Sequence, residues 1–95
     1  MFYVLIRHRV ADYAQWKRGV RAAAPFRKAS GELNFQVFRS SASPNDVTVV
    51  CGWSNAAQAR ACMKSAELRK RMKEVGVISK PQVQFFSQAE DLSVG

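Results

Sequence analysis

The chain is poor in the residues that most metal and nucleophile chemistry relies on. It has one histidine, His8, and two cysteines, Cys51 and Cys62, with no CxxC and no paired Cys/His spacing. A structural zinc site draws its four ligands from such pairs, so none is expected. Both cysteines fall in segments that read as buried, where free cysteine packs as a small hydrophobe. No apolar run approaches the roughly 20 residues of a spanning helix. The amino terminus passes directly into a charged strand with Arg7, His8 and Arg9, unlike a secretory leader. We therefore expect no membrane segment, no secretion and a cytoplasmic location. Internal repeats, linkers and low-complexity stretches are absent too. Acidic residues are scarce, 7 against 15 Lys and Arg, for a formal net charge of +8. This balance attracts anions at long range without identifying them. The cations fall mainly on two helical segments, Lys17, Arg18, Arg21, Arg27 and Lys28, then Lys64, Arg69, Lys70, Arg71 and Lys73, and read as solvated helical faces.

What is present is ordinary globular composition, 47% apolar and 23% charged over 95 residues. It makes one domain, 1–95, that would be marginally stable alone. From Phe2 to Val10, Phe2, Val4, Ile6, His8 and Val10 alternate with Tyr3, Leu5, Arg7 and Arg9. Both faces are apolar in the first half, as in a central strand covered on both sides. Asp12, followed by Gln15 three residues on, caps a helix with Tyr13, Trp16, Val20 and Ala23 or Ala24 inward; Pro25 is expected to kink it before Gly31 ends it. A second strand, Leu33 to Arg39, sets Leu33, Phe35 and Val37 against Asn34, Gln36 and Phe38. The turn Ser43-Pro44-Asn45-Asp46 leads to a third, with Val47, Val49, Cys51 and Trp53 against Thr48, Val50 and Gly52. Asn55 caps another helical segment, and Ser65 offers a second cap before Leu68, Met72 and Val75, so this stretch reads as two short helices or one with a break. A loop from Val77 to Pro81 returns the chain to a last strand, Gln82 to Ser87.

The order is βαββαβ, the α+β ferredoxin-like plan: a four-stranded antiparallel sheet with two helices on one face. The other face needs a cover, and in so small a chain we expect a second copy of itself. His8 is the one side chain whose ordinary pKa lies near neutrality, and the flanking arginines would keep it uncharged, a state suited to a general base. It reads equally as a structural residue hydrogen-bonded to backbone. Trp53 reads as core or as ligand wall, and Tyr13 and Trp16 as packing. Alternation leaves open which sheet face meets a cavity, since both faces of the first and third strands are apolar.

Several stretches together resemble a known group: Val4-Leu5-Ile6-Arg7-His8-Arg9-Val10, Asp12-Tyr13-Ala14-Gln15-Trp16-Lys17, Ser43-Pro44-Asn45-Asp46-Val47, Gly52-Trp53-Ser54, Ser65-Ala66-Glu67-Leu68-Arg69 and Gly76-Val77. Over nearly its whole length the chain resembles the dimeric α+β barrel superfamily that contains the antibiotic-biosynthesis monooxygenases. The resemblance implies a homodimer with sheets face to face and a cavity in each subunit. It also implies that a tryptophan ending the third strand, here Trp53, lines that cavity, and it places Ile6, His8 and Cys51 on the same side. In the haem-degrading branch the other functional positions are an asparagine and a histidine, which fall here on Ile6 and Met72. Neither can serve dioxygen or iron in that way. An acidic pair and a histidine in the first helix of a small uncharacterised branch fall on Arg21, Ala22 and Ala23, which removes a candidate acid/base. The expected function is binding of an apolar or aromatic ligand, with or without an anionic group, near Trp53. Any catalysis would be that of a monooxygenase or isomerase without metal or cofactor, with His8 as proton acceptor. Two alternatives stand beside it. One is a basic nucleic-acid-binding module, whose Lys/Arg-Gly-aromatic third strand is missing from Val47 to Trp53. The other is a non-catalytic structural or regulatory dimer.

Overall fold

Strand β1, Phe2–Arg9, lies at the centre of the sheet in the computed structural model, which describes residues 1–94. It pairs antiparallel with β3, Asp46–Trp53, on one side and with β4, Gln82–Ser87, on the other; β2, Glu32–Arg39, completes the order β2-β3-β1-β4. This is the ferredoxin-like arrangement that the βαββαβ order predicts. Helices cover one face only. Against them pack Val4, Ile6, His8 and Val10 with Val47, Val49, Cys51 and Trp53, all buried. The opposite face carries Tyr3, Leu5 and Val50 flanked by Phe38 and Phe86, which are 54% and 46% exposed, among Gln36, Gln84 and Thr48. No helix among the described residues is long and apolar enough to cross a membrane.

Each expected helix is broken in two. The first gives α1, Tyr13–Ala22, and α2, Ala24–Ser30. Asp12 caps α1 by accepting the Gln15 N–H at 3.1 Å. A break at Ala23 replaces the expected kink, because Pro25 sits in the first turn of α2, where its missing N–H has no helical partner to lose. Gly31, at φ 106°, ends α2 in the left-handed conformation that glycine tolerates best. The second segment gives α3, Ala56–Lys64, and α4, Ala66–Glu74. Ser65 separates them: in extended conformation it ends α3 through its N–H to Cys62 O, while its hydroxyl accepts the Leu68 N–H at 3.1 Å to start α4. Helices α1 and α4 meet where Gly19 faces Val75, and a Cβ on Gly19 would lie 2.1 Å from Val75 Cγ1. Only a glycine admits that approach.

One irregularity changes what the sheet presents. The register between β2 and β3 shifts between Glu32 and Asn34, so Leu33 is an extra residue in β2. Phe35 and Val37 pair with Cys51 and Val49 on the helix side as alternation predicts, but Leu33 is 57% exposed and Glu32, opposite Trp53, turns inward. Asn34 holds the bulge by accepting the Gly52 N–H on Oδ1 at 2.8 Å. It closes over Gly52 because that residue has no side chain; a Cβ there would stand 2.8 Å and 2.9 Å from the Asn34 amide atoms. Such bulges re-aim a side chain by breaking the two-residue period.

Candidate functional site

Between the sheet and the helices lies a cavity of about 70 Å³. Its floor is Ile6, His8, Val49, Cys51 and Trp53 from the two central strands, with Glu32 and Phe35 from β2. Its roof is Trp16, Val20, Phe26 and Arg27 from α1 and α2, with Cys62, Met63, Leu68, Arg71 and Met72 from the α3–α4 half. The four residues singled out in the sequence, Ile6, His8, Cys51 and Trp53, thus share one wall. They share it because positions two apart on neighbouring strands face the same side.

Three polar atoms on this wall have no oxygen or nitrogen partner: Nδ1 and Nε2 of His8, and Nε1 of Trp53, which has only the weakly accepting Cys51 sulfur near it. Both residues are almost wholly buried, 4% and 1% exposed. Buried polar groups are nearly always paired, and leaving one unpaired costs about 1–3 kcal/mol. They lie at opposite ends of the cavity. His8 pairs with Val47 while Trp53 pairs with Phe2, six residues or roughly 20 Å along the strand. The His8 ring packs edge-on against Trp16, with centroids 5.8 Å apart. Burial pushes the His8 pKa below the ordinary 6.5, opposed by the Asp46 carboxylate. The cause is thus desolvation and not the neighbouring arginines, since Arg7 and Arg9 project to the exposed side. His8 makes no backbone hydrogen bond through its ring, and its strand is central and not an edge.

At the Trp53 end stands a carboxylate that alternation assigns to the wrong face. Glu32, 7% exposed in its side chain, accepts from Arg27 Nε at 2.8 Å. Arg27 also donates to Val20 O and lies 4.3 Å over the Phe35 ring. Burial raises the Glu32 pKa while Arg27 holds it down in part. Arg71 stacks on Phe26 at 4.4 Å and bonds Glu67 at 2.9 Å. Arg27 and Arg71 therefore line the cavity, whereas composition alone puts them with the solvated cations. Arg27 falls one turn from Ala23 and Gly31, and Arg71 between Glu67 and Val75, so no continuous apolar stripe marks either as cavity-facing.

The thiols are inert. Cys51 Sγ donates to Val4 O at 3.5 Å, and burial with the nearby Glu32 charge pushes its pKa up to about 12; burial also raises that of Cys62. A protonated thiol is a poor nucleophile at neutral pH. Among the described residues no group of three or more His, Cys, Asp or Glu side chains comes together.

No family model and no curated protein matches the chain. Solved structures do. An antibiotic biosynthesis monooxygenase-type protein from Bordetella bronchiseptica superposes with a TM-score of 0.79 at 21% identity, over 94% of this chain and 97% of that one. SnoaB, a cofactor-independent oxygenase from Streptomyces nogalater, gives 0.77 at 14% identity over 96% and 95%. A monooxygenase from the gene ActVA-Orf6 of Streptomyces coelicolor, solved with the ligand Nanaomycin D, gives 0.70 at 19% identity over 99% and 92%. A chain of this order, with helices on one sheet face above an apolar cavity, therefore has the α+β fold of the antibiotic biosynthesis monooxygenase-like proteins.

Proposed function

We propose that the protein is a homodimeric small-molecule binder that takes an apolar or aromatic ligand into this cavity, near Trp53, and acts on it as a monooxygenase without a bound cofactor. The observation that carries the reading is the trio of polar atoms on His8 and Trp53 without an oxygen or nitrogen partner inside an apolar chamber. Such a chamber gains free energy when a ligand supplies the missing partners. SnoaB is described as a cofactor-independent oxygenase, and the Streptomyces coelicolor neighbour was solved with a small organic ligand, which supports the same use of the fold here.

In that reading His8, neutral because it is buried, receives a proton from an acidified C–H of the ligand. The carbanion supplies the electrons. A CH₂ group and one dioxygen give a carbonyl and one water, with the His8 proton returned to the departing oxygen. Trp53 Nε1, roughly 20 Å away along the sheet, would donate only to the far end of an extended, multi-ring ligand. The cavity, about 70 Å³, is smaller than the roughly 150 Å³ that accommodates benzene, so an aromatic ligand must displace part of the roof. Met63 and Met72, both in that roof, have the flexible thioether chains suited to it.

The dimer in this proposal forms through the uncovered sheet face, where Leu5, Val50, Phe38 and Phe86 would be shielded. Leu5→Glu should shift sedimentation from two chains to one at micromolar protein; a wild type that sediments as one chain would remove this part. The function itself is tested by oxygen uptake across a panel of hydroxylated aromatic compounds, with His8→Gln beside the wild type. Turnover that falls at least a hundredfold in His8→Gln, with binding retained, is the expected result. Unchanged turnover would end the role of His8.

A further inference from the structure

The bulge at Leu33 exchanges a leucine for a glutamate on the cavity wall. Without the extra residue, unbroken alternation would turn Leu33 inward and send Glu32 to solvent. Instead Leu33 is 57% exposed while the Glu32 carboxylate is 7% exposed and lines the chamber. That exchange opposes stability, since an apolar side chain meets water and a charged one leaves it. The chain nonetheless fixes it with Asn34 and Gly52.

Glu32 and Trp53 are directly opposed on neighbouring strands, which brings their Cβ atoms to about 5 Å on the same face. Trp53 Nε1–H has no oxygen or nitrogen acceptor, only the weakly accepting Cys51 sulfur close to it. Glu32 Oε1 is occupied by Arg27, and Oε2 is the oxygen left to accept from a ligand. We propose that Glu32 and Trp53 form a paired reader. Together they select ligands that end in a hydrogen-bond donor next to a carbonyl, such as a primary amide, a hydroxy-carbonyl or a carboxylic acid in its neutral form. The carbonyl accepts from Trp53 and the donor is given to Glu32. Anionic carboxylates are turned away, because they would face Glu32 with like charge and with no proton to offer. Arg27 is the positioning residue: it holds the Glu32 side chain through Nε and is itself clamped by Val20 O and the Phe35 ring. This inference rests on the small-molecule reading above and narrows it to a ligand class.

Benzamide and acetophenone have nearly the same shape and differ at the reader, an NH₂ in one and a CH₃ in the other. Titrations are followed by the indole N–H cross-peaks of ¹⁵N-labelled protein, with Trp53→Phe identifying the Trp53 signal. Wild type should bind benzamide about tenfold more tightly than acetophenone, the effect of one buried hydrogen bond to a charged acceptor, and both should move the Trp53 signal. Glu32→Gln keeps an oxygen for Arg27 and turns its amide N–H groups to the ligand, so the preference should fall to parity or reverse. Trp53→Phe should weaken both probes alike and leave their ratio unchanged. A wild-type ratio within twofold while both probes bind overturns the reader and leaves the small-molecule reading standing, and this holds even if Glu32→Gln does not fold. A tenfold preference that survives in a folded Glu32→Gln protein overturns it as well. If neither probe binds at millimolar concentration, both the reader and the proposed function fall.

Discussion

Replacing Gly52 with alanine tests whether the bulge depends on an empty position at the end of β3. The added methyl would stand 2.8–2.9 Å from both Asn34 amide atoms and 2.9 Å from Met1 Sδ, all of them side-chain atoms that can move. Moving Asn34 breaks its 2.8 Å hydrogen bond to the Gly52 N–H. That donor lies at the register shift between β2 and β3, where the regular ladder is interrupted. An unpaired, partly buried N–H costs about 1–3 kcal/mol, and each kcal/mol lowers the Tm of a domain this size by about 4–8 °C. Asn34→Ala removes the same bond and should cost a similar amount. Because both substitutions act on one interaction, the double variant should cost little more than Asn34→Ala alone, giving a coupling energy of about 1 kcal/mol or more. Urea unfolding of the four proteins at one fixed concentration measures the cycle. Additive costs, or a Gly52→Ala protein as stable as wild type, would refute the account of how the bulge is held.

Two further outcomes follow from buried charge. The His8 pKa is held below 6.5 in the folded protein, so the unfolded chain takes the proton first as pH falls. Stability should therefore decline below about pH 6.5, with a slope approaching 1.4 kcal/mol per pH unit. His8→Gln should lose that component. Comparing urea midpoints of the two proteins between about pH 7.5 and 5.5 isolates it, since Glu32, which titrates in the opposite sense, is common to both; parallel pH curves would contradict the assignment. Arg27→Met leaves the Glu32 carboxylate buried without its cation, a loss of about 3–5 kcal/mol at neutral pH. Folded Glu32 has a raised pKa, so protonation relieves this cost and the deficit should shrink as pH falls towards its unfolded value. A deficit of equal size at both ends of that range would exclude buried charge as its cause.

Much of the framework is legible from residue pattern. The caps Asp12, Asn55 and Ser65 each accept the backbone N–H three residues on, as short polar side chains before helices do. Alternation groups the residues of β1 and β3 that share a face, His8 and Trp53 among them, but with both faces apolar it does not say which one the helices cover. The resemblance makes that choice, and the buried set is the one it names. Alternation fails where the period itself is broken. Nothing in the string Glu32-Leu33-Asn34 marks the extra residue, because the bulge is held across the sheet by a contact between Asn34 and Gly52, 18 positions apart. The break at Ala23 was hidden for a different reason: Pro25 is compatible with a kinked helix and with the first turn of a new one, and helix packing decides between them. Arg27 and Arg71 read as solvent-facing because long cationic side chains can lie over aromatic rings while their charge is paired.

The seat of Val75 against Gly19 has a mechanical corollary. With no free space at that point, the carboxyl-terminal end of α4 is held against α1. At the other end α4 begins at Ser65, a single extended residue that joins it to α3. If the chamber takes a ligand as proposed, the α3–α4 joint is the part of the roof left freer to yield, and opening would be expected there.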